Sequence, residues 1–145
     1  MGYQKVLVPV SGKFQLKRAA RALEHALRVV RKDGEICFIH CAHNGTHLIT
    51  GEQHKKLVMQ DAGEAEKLVL PLAERTKSAG IAYSVCVLEG SPLTHIPKFA
   101  SENDFNVVVM CTGSHHEANE PGDHVLGSVT ERVYKYLNVP LFIVH

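Results

Sequence analysis

Tryptophan is absent from this 145-residue chain and aromatic residues make up 6% of it, which leaves little with which to stack nucleic-acid bases. Charge of one sign is equally scarce. Sixteen Lys and Arg against fifteen Asp and Glu leave a formal net charge of +1. Without a basic field, neither nucleic acid nor an anionic membrane surface is an expected partner. Long apolar runs are missing too. Val107–Cys111 and Val139–Val144 are the longest kind present, far below the roughly 20 residues that span a bilayer. The first residues lack the apolar region and cleavage site of a signal peptide, and Val6 stands where a myristoylation signal needs Ser or Thr. The expectation is a soluble, cytoplasmic protein. There is no CxxC pair, no GxxxxGK phosphate loop and no GxSxG nucleophile elbow, so dedicated redox, NTPase and hydrolase chemistry lose their usual signatures.

What is present is ordinary globular material, 45% hydrophobic and 21% charged, at a length suited to one domain spanning 1–145. Cys37, Cys41, Cys86 and Cys111 all fall in or at the ends of apolar runs, where cysteine behaves as a small buried hydrophobe, and they read as reduced structural thiols.

Strand and helix patterns alternate along the chain. Lys5–Val10 is a short β-branched run, predicted as a strand buried on both faces with Pro9 at its margin. Leu16, Ala19/Ala20, Leu23, Ala26/Leu27 and Val30 recur at helical spacing, and Asp33-Gly34 is the expected stop. Glu35–Cys41 is the second strand. A polar stretch from Ala42 to Gln53 reads as loop, and His54–Lys77 as a helix that Pro71 should kink and Ser78-Ala79-Gly80 should end. Ile81–Leu88 is the third strand. Ser91-Pro92 opens a helix running to about Glu102, with Pro97 inside it. Val107–Cys111 is the fourth and most central strand. A capping box, Ser128-Val129-Thr130-Glu131, opens the last helix, with Val129, Val133 and Tyr136/Leu137 inward. Pro140–Val144 is the fifth strand. This alternation predicts an α/β fold in which a five-stranded parallel sheet carries helices on both faces.

In such a sheet, ligands sit beyond the carboxyl ends of the strands, where the strand order reverses. That nominates Val10-Ser11-Gly12, Cys41–His43, Gly90-Ser91 and Thr112–Ser128. The last is long for a connection from strand to helix, and such loops are usually functional. It begins with Gly113-Ser114 and ends with Gly127-Ser128 at a helix start, where backbone N–H groups favour an anion such as phosphate, with Ser128 and Thr130 adding hydroxyls.

The opening VLVPVSG, the strand ending His40-Cys41, the segment GSPLTHIPKFASENDFNVVVMCTGS and the close GSVTERVYKYLNVPLFIVH resemble the universal stress protein family over essentially the whole chain. The resemblance implies a Rossmann-like fold of the adenine nucleotide alpha hydrolase type. It also implies ATP or AMP binding, with Mg²⁺, through Gly, two residues, Gly, nine residues, then Gly and Ser or Thr. On this chain the implied nucleotide contacts are Pro9, Val10, Ser11, Cys41, Gly113, His115, His116, Gly127, Ser128, Val129 and Thr130. The motif is altered. Gly113 and Gly127-Ser128 match, but His116 replaces the middle glycine and ten residues, Glu117–Leu126, follow it. A histidine there adds a Cβ and a ring to a loop that needs close backbone approach, and its N–H can stand in for a backbone donor. Ser11 replaces the family's acidic residue, removing a charge-assisted acceptor worth about 1.5–3 kcal/mol.

The expected function is a dimeric, non-catalytic regulator that reads adenine nucleotide, with room for slow ATP hydrolysis only. Strand five, Leu141-Phe142-Ile143-Val144, is an apolar edge whose simplest cover is the same edge of a second copy. Two other readings compete. One is a family member that has lost its ligand and serves an unknown protein partner as a scaffold, favoured by Ser11 and His116. The other is a metal sensor built on His40, Cys41, His43, His47, Cys111, His115, His116 and His124, which share one rim but fit no standard ligand spacing.

Overall fold

A computed structural model describes residues 2–10, 16–42, 67–89, 92–111 and 133–144. The elements are β1 (Tyr3–Pro9), α1 (Leu16–Val29), β2 (Val30–Ala42), α2 (helical residues 67–78), β3 (Ala82–Glu89), α3 (Pro92–Glu102), β4 (Val107–Cys111), a helical turn α4 (residues 133–136) and β5 (Leu141–Val144). The five strands form one sheet in the order β3-β2-β1-β4-β5, every neighbouring pair parallel. β4 is an interior strand as expected, although β1 holds the middle.

Alternation along β1 explains why the sheet is covered on both faces. Val6, Val8 and Val10 point into a core with Ala19, Ala22, Leu23 and Ala26 of α1 and Val69, Leu72 and Ala73 of α2. Leu7 points the other way, with Cys37, Ile39, Val108 and Met110, against Ile96 and Ala100 of α3 and Val133 of α4. Val6, Leu7 and Val8 are each 0% exposed, so β1 is buried on both faces as its unbroken apolar run predicts. Between α1 and α2, Arg75 pairs with Glu24. Both side chains are about half exposed, so the pair contributes about 0–1 kcal/mol.

Two helix ends follow one physical rule. Beyond α2, Gly80 takes a φ of +76°, its N–H donates to Lys77 O at 2.9 Å, and Ile81 N–H donates to Thr76 O at 3.1 Å. Spare helical carbonyls are thereby satisfied by a left-handed residue, as Gly80 suggests in the sequence. Beyond α3 the same turn is made by Asp104, at φ 57°, with Phe105 N–H donating to Ala100 O at 3.1 Å. The buried hydroxyl of Thr76 donates to Leu72 O at 2.8 Å. Helix continues through Pro71 and Pro97.

Three expectations need correction. Asp33-Gly34 does not end α1. The helix stops at Val29 and β2 begins directly at Val30, paired with Tyr3. The register then jumps, so that Lys5 meets Glu35, and Arg31 pairs with Asp33 at 3.0 Å inside the irregularity. Gly34 belongs there because a Cβ at that position would lie 2.7 Å from Gln4 O. Strand limits also shift: β1 starts at Tyr3, and β3 spans Ala82–Glu89 instead of Ile81–Leu88. Finally, Tyr136 is not inward but 69% exposed, because Val133 and the partly buried Leu137, four residues apart, fill the inner face of the last helical segment. The start of the second helix at His54, the Ser91 cap and the Ser128–Glu131 capping box lie outside the described residues.

β5 is an edge strand, paired to β4 alone. Val144 is buried, Leu141 and Ile143 are half-buried, and Phe142 is exposed with its ring 6.0 Å from that of His25 on α1. Among the described residues no helix is long and apolar enough to cross a membrane.

Candidate functional site

The strand order reverses at β1, with β2 on one side and β4 on the other, so the crevice expected of an open parallel sheet lies between the carboxyl ends of β1 and β4. Its geometry is set by unequal ladders. β1 stays paired with β2 up to Pro9 and Ile39, and Val10 N–H still donates to Ile39 O at 2.8 Å. β1 and β4 pair only as Val6 with Val107 and Leu7 with Val108. Beyond that point β4 follows β5 instead, through Cys111 opposite Val144. The β1–β4 ladder thus ends after Leu7 and Val108: Pro9 has no N–H with which to continue it, and the Val10 amide turns to β2.

Three residues of the rim are fixed by this arrangement. Val10 is 2% exposed, its side chain in the core under α1 and its carbonyl reaching the rim. His40, near the end of β2, sets its Nδ1 2.9 Å from that carbonyl. A carbonyl only accepts, so Nδ1 carries the proton and, in the neutral ring, Nε2 keeps a lone pair for another partner. Cys111 ends β4 half-buried, on the face that α1 covers. Burial pushes its thiol above the ordinary range, and the guanidinium groups of Arg21 and Arg18 pull in the opposite direction. A thiol held protonated is a poor metal ligand. Among the described residues no three His, Cys, Asp or Glu side chains are grouped to hold a metal. Cys37, Cys86 and Cys111 are free thiols, in keeping with the structural reading of the cysteines.

Of the residues expected to touch nucleotide, Pro9 and Val10 are at the crevice, and the backbone of Cys41 lies next to last in the neighbouring β2. Ser11, the side chain of Cys41, Gly113, His115, His116, Gly127, Ser128, Val129 and Thr130 lie outside the described residues, as do His43, His47 and His124. The bond from His40 to Val10 was not legible in the sequence. It joins residues 30 apart, and only the parallel register of β1 and β2 could have suggested it.

The Universal stress protein family model matches residues 2–145. The chain belongs to the universal stress protein family. A universal stress protein from Methanothermobacter thermautotrophicus is 24% identical over 147 residues, covering 98% of this chain and 95% of the relative. Among solved structures, hypothetical protein MJ0577 superposes with a TM-score of 0.79 at 23% identity, over 99% of this chain and 96% of that one. A universal stress protein in complex with cAMP gives 0.72 at 16% identity, over 100% and 99%. A family protein from Arabidopsis thaliana with AMP bound gives 0.65 at 17% identity, over 97% and 90%. These likenesses establish the family's five-stranded α/β fold for this chain.

Proposed function

We propose that this family member is a dimeric, non-catalytic regulator of the stress response, acting in the cytoplasm, that takes an adenine nucleotide in the crevice between β1 and β4. The observation that carries the reading is the early end of the β1–β4 ladder at Leu7 and Val108, which frees the carboxyl ends of both strands at the point of order reversal. It is supported by the two related structures that contain cAMP and AMP. In this reading the base and ribose lie against Val10 and Cys41, and the phosphates lie against the Gly113 and Gly127–Thr130 backbone with His115 and His116. ATP or AMP, with Mg²⁺, are the ligands. The second copy joins through Leu141, Phe142, Ile143 and Val144, whose strand has one open edge.

Thermal melting with added nucleotide tests it. At about 100 times its dissociation constant, ATP or AMP adds about 2.7 kcal/mol of stability. A melting point unmoved by millimolar ATP and AMP would remove the ligand and leave the second reading, a scaffold for a protein partner. Ser11 and His116, at the positions of the family's acid and middle glycine, favour that alternative.

A further inference from the structure

α1 starts at Leu16, six residues after Val10, and returns toward the amino end of β2, so its first turns stand at the crevice end of the sheet. Those turns carry Lys17, Arg18 and Arg21 and no acidic residue. The one acid of the helix, Glu24, is engaged by Arg75 of α2. The rotation of the helix is fixed by Ala19, Ala22 and Leu23, which bury into the same cluster as Val107 and Val109, with Cys111 packed against it. Arg18 is half-buried and Arg21 exposed, on turns flanking that buried stripe. Both guanidinium groups act electrostatically on the Cys111 thiol at the end of β4, in opposition to its burial. Cations in the first turns of a helix oppose its dipole, an arrangement that a polyanion beside them relieves.

We propose that Arg18 and Arg21 form a cationic wall of the crevice that makes it prefer the polyphosphate of a nucleoside triphosphate over a monophosphate. The inference rests on the nucleotide reading and adds to it a choice of phosphate number. Arginine suits the task because its planar fork donates to two phosphate oxygens at once.

Calorimetric titration of the full chain with ATP, AMP and inorganic tripolyphosphate decides it, on wild type, R21Q, R21K and R18Q/R21Q. Wild type is expected to bind ATP at least about tenfold tighter than AMP, the equivalent of one charge-assisted contact. R18Q/R21Q should lose about tenfold or more for ATP and under about threefold for AMP, while R21K, which keeps the charge but not the fork, keeps only part of the preference. Arg21 is exposed, so R21Q reads the effect even if the double variant fails to fold. Unchanged ATP affinity in R21Q and R18Q/R21Q, or equal losses for ATP and AMP, would overturn the cationic wall and leave nucleotide binding intact. Binding of tripolyphosphate with neither nucleotide would support the wall and overturn the nucleotide reading. No binding of any of the three would overturn both.

Discussion

The imidazole of His40 donates from Nδ1 to the main-chain carbonyl of Val10, 2.9 Å away, and so ties the ends of β1 and β2 together at the rim of the crevice. The partner is a carbonyl whose own amide is already spent on Ile39 O. His40→Ala should therefore cost about 1 kcal/mol of stability in urea unfolding and weaken ATP binding by loosening the floor beneath it. His40→Asn places an amide N–H₂ near the position of Nδ1 and should recover most of both losses. Equal behaviour of the two variants would show that the bond does not organise the rim.

Alkaline pH should destabilise the fold through its cysteines. Burial pushes the thiols of Cys37, Cys86 and Cys111 above the ordinary value of 9.0. Above pH 9 the unfolded chain loses these protons before the native one does, so unfolding free energy falls as pH rises. The stabilisation is complete below that pH and is lost as pH climbs through the raised values. Urea midpoints between pH 8 and pH 10 should decline, and Cys37→Ala should flatten the decline while lowering stability throughout.

Asn106 fastens the start of β4 to the start of β1. Its Oδ1 accepts from the amides of Gln4 at 3.1 Å and Lys5 at 2.8 Å, and its own N–H donates to Lys5 O at 2.9 Å. Asn106→Ala strips the acceptor from two amides near solvent and should cost about 1–2 kcal/mol. Asn106→Asp keeps the acceptor and should stay close to wild type. Denaturant midpoints for the two variants distinguish the hydrogen bonds from mere packing.

Asp104 holds a left-handed conformation at the end of α3, where Gly80 does the same task after α2 at no steric cost. Asp104→Gly should stabilise the protein by about 0.5–1 kcal/mol, raising the melting temperature by about 1–4 °C at this chain length. A fall in melting temperature would mean that the Asp104 side chain contributes something beyond its backbone shape.

The elements that could be read in the sequence were those specified locally. Val107–Cys111 is a strand because five apolar residues, three of them valine, form one short β-branched run, and the structure gives it those limits. Pro92–Glu102 begins at its proline for an equally local reason. Asp33-Gly34 misled because Asp-Gly usually marks a stop, whereas Gly34 answers to Gln4, thirty residues earlier. Nothing local marks Asn106, because its partners lie 101 and 102 residues away. At the candidate site, the alternation of elements marked the strand ends, but the reversal between β1 and β4 emerged only from the strand order of the sheet. The end of the β1–β4 ladder at Leu7 and Val108 was partly legible, because Pro9 has no N–H to donate to a further rung.

Amide spectra of the ¹⁵N-labelled chain during an ATP titration test the central claim most directly. Saturable shifts should appear at Val10, His40 and Cys111 while Asn103–Asn106, at the opposite end of the sheet, stay in place. Shifts confined to β3 or to the Asn103–Asn106 end, or none at millimolar ATP, would contradict a nucleotide site between β1 and β4.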